Sequence, residues 1–249
     1  MGFDQSEVPQ RGRSSVRVFG GAGVWHEGRP VSVGGPRQRR LLALLAIRAG
    51  TVADIDWLAE NLWTDDDRPE ASDRALRTYV SRLRGTLPDD AGVVVETAPG
   101  GYRLHAPADA VEHRWFSELR SSARQARERQ DPVAAQDLLD KALGLWRGDP
   151  FPELEDLDWA RAEIERLRQE RLEAVEERFE VSLALGRHTQ IIGELAAFTH
   201  EHGLRERAWR QYAVALHRSG RTAEALRAVR HYREQLVDAS GLDPSAEME

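Results

Sequence analysis

Arg74, Arg77, Thr78, Ser81 and Arg82 lie in one short stretch, SDRALRTYVSRLRGTL at residues 72–87. A guanidinium carries a rigid fork of donors that matches two acceptors on a guanine edge, or the oxygens of a phosphate. A short hydroxyl lets a helix seat deeply beside a base or a phosphate. Together these residue types have the chemistry of nucleic-acid recognition. A solvated helix face normally mixes both charge signs, often as Glu and Lys four residues apart. This stretch has four arginines against Asp73 alone.

The helix that must position them is written in the apolar spacing. At about 100° per residue, Ser72, Leu76, Val80, Leu83 and Leu87 fall near one line. Arg74, Arg77, Thr78 and Ser81 fall on the other side, with Gly85 at the end. The spacing predicts a helix over 72–87 with a core face and an arginine face. Its competitor is an amphipathic helix with an ordinary solvated face.

Charge is segregated around this helix. The chain of 249 residues carries a net charge of −7, which argues against a general polyanion binder. Residues 1–106 hold 14 Arg and 14 acids, while residues 107–249 hold 21 bases and 28 acids. Residues 35–50 hold Arg37, Arg39, Arg40 and Arg48 without an acid, whereas Asp54 to Asp67 holds six acids without a base. Arginine number itself is weak testimony, because Lys141 is the one lysine and such a bias follows from a GC-rich genome. Cysteine is absent, which excludes disulfides and thiolate metal sites and fits the cytosol. No apolar run is long enough to span a membrane. Residues 1–15 are polar, lack the apolar core of a signal peptide, and are expected to form a flexible arm.

The neighbouring elements follow in order. VRVFG (16–20) and VSVG (31–34) are short β-type runs, with a hairpin turn at His26-Glu27-Gly28-Arg29. Pro36 opens a helix to Ala49, with Leu41, Leu44, Leu45 and the stem of Arg48 facing the core. Arg37, Gln38 and Arg39 stand at its N-terminus, where free N–H groups suit a phosphate; the alternative is a plain amphipathic helix with a polar first turn. Asp54–Trp63 is a second short helix, with Ile55, Leu58, Leu62 and Trp63 inward. VVVET (93–97), the Ala98-Pro99-Gly100-Gly101 turn and Tyr102-Arg103-Leu104 make a hairpin. Sheet, three helices and a hairpin is the order of a winged helix-turn-helix.

The segments RQRRLLALLAIRAG (37–50), LAENLW (58–63), ALRTYVSRLRGTL (75–87) and ETAPGGYRL (96–104) resemble the OmpR-type DNA-binding domain. More narrowly they resemble that of the SARP (Streptomyces antibiotic regulatory protein) family. Two departures stand out. Ala53 occupies the place where the family usually caps the second helix with Ser or Thr, leaving Asp54 for the task. The wing tip has no base between Thr97 and Tyr102, so a wing contact must use backbone N–H groups or Arg103. From residue 111 the chain reads as helices at about 112–130, 132–147, 157–186, 188–202, 204–219 and 221–239. Gly186 and Gly220 stand 34 residues apart, the tetratricopeptide period, and Pro244 falls where that repeat places a proline. Ala223 and Leu226 are expected to pack the start of that repeat's second helix. The segments ALGLWRGDPFPEL (142–154), ERLRQERLEAVEERFEVSLALGRH (165–188), ELAAFTHEHGLRERAWRQYAVALHRSGRTAEAL (194–226) and GLDPSAE (241–247) resemble the bacterial transcriptional activation domain of the same family. Members usually carry one more short helix there, so the chain is expected to be clipped or naturally short.

The expectation is therefore a mainly α fold with a small β component. Residues 1–15 form the arm, 16–106 the winged helix-turn-helix, 107–111 a linker, and 112–249 an all-α tetratricopeptide-like domain. The DNA-contact set is Arg37, Gln38, Arg39, Arg74, Arg77, Thr78, Ser81, Arg82 and Arg103. The resemblance implies that Asp65, Asp66 and Asp67, in the loop before the arginine-faced helix, touch RNA polymerase. The competing reading is N-capping by Asp67 and loop solubility. It also implies a cytoplasmic, nucleoid-associated activator that binds direct repeats in double-stranded promoter DNA beside a second protomer. Its other partner is RNA polymerase holoenzyme, through sigma, alpha or beta subunits, and its targets are antibiotic biosynthesis genes. No catalysis, cofactor or membrane contact is expected. The eight histidines show no metal-ligand spacing, Trp115, Trp146, Trp159 and Trp209 read as packing, and no phosphate-binding G-x-x-x-x-G-K-[ST] exists. Two rivals remain: a helical-repeat adaptor whose winged helix binds protein, and a sensor gated by a small ligand.

Overall fold

The computed structural model describes residues 14–64, 66–88 and 92–248. In chain order the elements are β1 (Ser14–Arg17), β2 (Gly23–His26), β3 (Arg29–Val31), α1 (Pro36–Ile47), β4 (Ala53–Asp54), α2 (Ile55–Leu62), α3 (Ser72–Thr86), β5 (Val94–Ala98) and β6 (Gly101–His105). Then come α4 (Glu112–Glu128), α5 (Pro132–Leu143), α6 (Asp158–Ala184), α7 (His188–Glu201), α8 (Glu206–Arg218) and α9 (Thr222–Ser240). This is a mainly α chain, a winged helix-turn-helix followed by tetratricopeptide-like helices. It divides into two compact units, residues 1–121 with 141–171, and residues 122–140 with 172–249. Among the described residues no helix is long and apolar enough to cross a membrane.

In the first unit, β1, β2 and β3 form an antiparallel sheet in that order. The β2–β3 turn places Glu27 at φ 47° and Gly28 at φ 79°, the positive pair that a two-residue hairpin with native twist requires. Ser14 and Ser15, expected at the end of a flexible arm, are buried in β1, where Ser14 Oγ meets His26 Nδ1 at 2.7 Å. The rest of that arm lies outside the described residues. Helix α1 is the centre of the unit. A single apolar face was expected, but Leu41, Leu42, Ala43, Leu44, Leu45 and Ala46 are all buried. The reason is its neighbours: α2, α3, β6 and the 3-10 turn Pro152–Leu154 surround it. A run of Leu and Ala fits such a place, where no side is left for water.

The second sheet has the order β4-β6-β5. Its two-residue turn carries Pro99 followed by Gly100 at φ 82°, the Pro-Gly usage of a type II turn. At Gly101 a Cβ would run into the Ala53 carbonyl, so β4 can lie against β6 only because that residue is glycine. Asp54 does cap α2: its Oδ1 accepts the Asp56 N–H at 2.9 Å and the Trp57 N–H at 3.5 Å.

Residues 107–111 hold a 3-10 turn at Ala108–Ala110, and Val111 is fully buried and bridges to Val16. The carboxylate of Glu112, also fully buried, accepts the N–H groups of Val18 at 2.8 Å and Phe19 at 3.0 Å and pairs with Arg147. Arg40 donates to the Asn61 carbonyl at 2.7 Å and the Glu153 carbonyl at 2.9 Å, and grips both oxygens of Asp156. Trp159 takes up inter-helix packing at the rim of the unit instead of the core. It is 38% exposed, but its Nε1 donates to Asn61 Oδ1 and its ring lies 5.1 Å from that of Trp57. An indole with a polar partner at the rim keeps one edge wet.

In the second unit α7 packs on α8 and α8 on α9. One cluster joins Phe179, Leu183, Ile191, Leu195 and Ala215; another joins Trp209, Leu216, Ala225, Ala228, Tyr232 and Met248. Leu226 was expected inside and is 60% exposed, and Ala223 is also exposed. The buried face of α9 runs instead through Ala225, Ala228 and Tyr232, where two alanines let the helix approach Trp209 closely.

Candidate nucleic-acid interface

Helix α3 begins after Ala71, which offers no side-chain cap. Asp67 therefore does not cap it. Leu76, Val80 and Leu83 are buried and hold the helix down, and Trp63 lies 6.1 Å from the half-buried Tyr79. The predicted contact residues Arg74, Arg77, Thr78, Ser81 and Arg82 all lie exposed on this one helix. Among the described residues, the guanidinium groups of Arg74, Arg77 and Arg82 have no hydrogen-bond or ion-pair partner. Three desolvation-free cations on one helix flank make a locally positive face despite the balanced charge of residues 1–106.

Arg84 has a different use. Its Nε donates to the Val95 carbonyl at 2.6 Å and its Nη2 to Thr97 Oγ1 at 2.8 Å, and it lies 5.7 Å from the Tyr102 ring centre. It ties the wing to α3. Sequence reasoning counted it only as part of a basic patch. A usable signal was its place on the helical wheel, about 80° from Leu76 and thus at the edge of the core face.

The wing itself is electrically closed. Arg103, on β6, pairs across the ladder with Glu96 on β5, Nη2 to Oε2 at 2.7 Å. This hydrogen bond holds the Glu96 carboxyl below the usual glutamate range.

The three residues at the start of α1 are placed unequally. Arg37 donates to the Leu62 carbonyl at 2.6 Å and pairs with Asp67. Gln38 folds back over Gly34, into space that a Cβ at residue 34 would occupy, and the φ of 91° there also favours glycine. Arg39 is exposed, with one long contact of 3.4 Å to the Gly34 carbonyl. Asp67 also accepts the Thr64 N–H at 2.8 Å and its hydroxyl at 3.0 Å, which closes the loop into a turn. Two predicted sites thus meet in one ion pair. Asp66 is exposed, and Asp65 lies outside the described residues. A hollow of about 430 Å³ opens beside Arg39, Leu62 and Pro152. The other arginines lining it, Arg37 and Arg40, already hold internal oxygens. Among the described residues no group of three or more His, Asp or Glu is placed to hold a metal ion.

A core-anchored helix with an open arginine face, backed by α2 and bounded by a β-hairpin, defines a winged helix-turn-helix of the DNA-binding transcription regulators. Residues 28–104 match the family model described as "Transcriptional regulatory protein, C terminal", and residues 111–249 match "Bacterial transcriptional activator domain". The chain is 33% identical to the regulatory protein DnrI of Streptomyces peucetius, over 94% of this chain and 89% of that protein. It is 37% identical to the regulatory protein AfsR of Streptomyces coelicolor over 96% of this chain, and spans about a quarter (24%) of that relative's length. A solved structure of Mycobacterium tuberculosis EmbR, in complex with a low affinity phosphopeptide, superimposes with a TM-score of 0.85 at 31% identity. That match covers 95% of this chain and 63% of the EmbR chain. The chain belongs to the SARP family of transcriptional regulators.

Proposed function

We propose that the chain is a transcriptional activator that binds direct repeats in promoter DNA through α3 and recruits RNA polymerase holoenzyme. Its targets, by the family's own name, are antibiotic biosynthesis genes. The observation that carries this reading is the exposure of Arg74, Arg77, Thr78, Ser81 and Arg82 on one anchored helix, with three guanidinium groups unengaged among the described residues. Phosphate contacts fix position and base-edge contacts select sequence, and this face offers donors for both. Arg39 adds a phosphate contact, while Arg37 and Gln38 serve the fold first. The wing, with Arg103 held by Glu96, approaches the duplex through backbone groups. The acidic balance of residues 107–249 keeps that half off the duplex and leaves it for protein partners, a second protomer and polymerase.

Footprinting of the chain on its own upstream region, with and without RNA polymerase holoenzyme, tests the reading. Protection of two repeats about one helical turn apart, extended by polymerase, is the expected result. An adaptor that uses its winged helix for protein would give no footprint at any salt concentration, and that outcome overturns the proposal.

A further inference from the structure

Thr78 sits amid the outward face of α3, one turn from both Arg74 and Arg82 and next to Arg77. Its Oγ1 donates to the Arg74 carbonyl oxygen at 3.0 Å. This is the back-bond that Thr forms to the carbonyl four residues earlier in a helix. An exposed threonine that turns its hydroxyl to its own backbone is left with its Cγ2 methyl as the outward group. Ser81 differs: it is exposed and its hydroxyl has no partner among the described residues. The two short side chains of this face therefore offer different chemistry, an apolar methyl at 78 and a free hydroxyl at 81.

In the major groove, one base carries an apolar mark, the C5-methyl of thymine, and the threonine methyl is a side-chain group that meets it. The arginines around Thr78 match the acceptors of guanine. The geometry points to Thr78 as a specificity-determining residue that reads a thymine through methyl-to-methyl contact, in a half-site where that thymine lies close to a guanine taken by Arg74, Arg77 or Arg82. The Thr78 hydroxyl is not a donor to a base in this arrangement, because its proton is committed to the helix. This inference rests on the DNA-binding reading above and assigns an atom to it.

Uracil is thymine without the C5-methyl and pairs identically, so it isolates this contact. With the operator defined by footprinting, each thymine is replaced in turn by uracil and binding of the full chain is followed by fluorescence anisotropy. One thymine in each half-site is expected to weaken the wild-type chain about fourfold when replaced, the worth of one buried methyl group. Thr78→Ser keeps the hydroxyl and loses the methyl. It binds the thymine duplex about fourfold more weakly and is indifferent to uracil at that position. Thr78→Val keeps the methyl and loses the hydroxyl, and it discriminates against uracil as the wild type does. Circular dichroism of each variant confirms an unchanged fold. If Thr78→Ser remains as sensitive to uracil as the wild type, or Thr78→Val loses the discrimination, the assignment is wrong. A footprint with no uracil-sensitive thymine also overturns it, leaving the DNA-binding reading intact. No footprint for the wild-type chain overturns both.

Discussion

Arg77→Ala and Arg84→Ala are predicted to separate two uses of arginine on the same helix. The Arg84 guanidinium holds the Val95 carbonyl at 2.6 Å and Thr97 Oγ1 at 2.8 Å. A hydrogen bond from a charged donor contributes roughly 1.5–3 kcal/mol when shielded, and less where water competes. Arg84 is exposed at its outer edge, so both bonds together are worth about 1–2 kcal/mol, which lowers the melting temperature by a few degrees. Arg77 has no such bond, and alanine is the better helix former. Its removal should leave stability within about 0.5 kcal/mol while costing about 1–3 kcal/mol of operator affinity, roughly 5- to 150-fold in Kd. Urea melts of both variants, with anisotropy titrations at one fixed salt concentration, measure the two effects side by side. Equal melts for the two variants, or operator affinity untouched by Arg77→Ala, would refute the division of the helix into an outward and a wing-binding flank.

Glu112→Ala should destabilise the first unit by about 3–5 kcal/mol, because it strands the buried N–H groups of Val18 and Phe19 and leaves Arg147 unpaired by Glu112; a denaturant midpoint close to wild type would contradict this. Burial pushes the His113 imidazole down to about 4, with nearby Arg114 and Arg166 adding to the fall against the opposing pull of Glu163. The folded chain then resists a proton that the unfolded chain accepts, so stability is lost as pH falls from about 6.5 to about 4, by about 3 kcal/mol, and levels off below. His113→Gln should flatten that part of a stability–pH curve, and an unchanged slope would assign it to other groups. Asp65→Ala with Asp66→Ala should spare DNA binding and lower transcription in a reconstituted assay, whereas Asp67 is left out because it closes the loop onto Arg37 and Thr64. With Arg39, Arg74, Arg77 and Arg82 as the cations facing DNA, log K should fall against log salt with a slope no steeper than about −4 per protomer; a much steeper slope would mean that the wing or the second unit also touches phosphate.

What was legible in the sequence was local. Helix α3 was expected over 72–87 and spans Ser72–Thr86, because its apolar positions recur every three or four residues and Leu87-Pro88 stops it. The hairpin at His26–Arg29 and the wing turn at Pro99-Gly100 were legible for the same reason, since turn residues carry their own backbone preference. The arginine face was visible because residues one turn apart share a side of a helix. The remainder depended on partners far along the chain. Nothing near Arg40 announces Asp156, 116 residues on, or near Val18 a carboxylate at 112. Arg37 looked like a phosphate ligand because its partner, Asp67, lies beyond a whole intervening helix. Leu226 misled for a subtler reason: an apolar residue at a repeat position suggests burial, yet two alanines at 225 and 228 set the close-packed face of α9.

These distant pairings also explain how a half-chain with 14 arginines and 14 acids can present a basic surface. Charges beyond about 8 Å are largely screened at physiological salt, so what a duplex meets is local arrangement. The acids are not spread evenly against the bases. Within that half Asp67 holds Arg37 and Glu96 holds Arg103, while Asp156, from outside it, holds Arg40. Arg48 lies 3.7 Å over the Trp57 ring, and Arg84 serves the wing. Each of these pairings fixes one part of the winged helix: the loop before α3, the N-terminal end of α1, the hairpin, the end of α1 and the wing junction. Asp73 is the lone acid within α3, and Arg74, Arg77 and Arg82 remain open. These pairings leave α3 as the helix on which three unengaged arginines stand together among the described residues. With Arg37, Arg40, Arg84 and Arg103 held to oxygens of the fold and Arg48 stacked on Trp57, affinity under the proposed DNA-binding reading is expected to be concentrated on the helix whose side chains can distinguish one base from another.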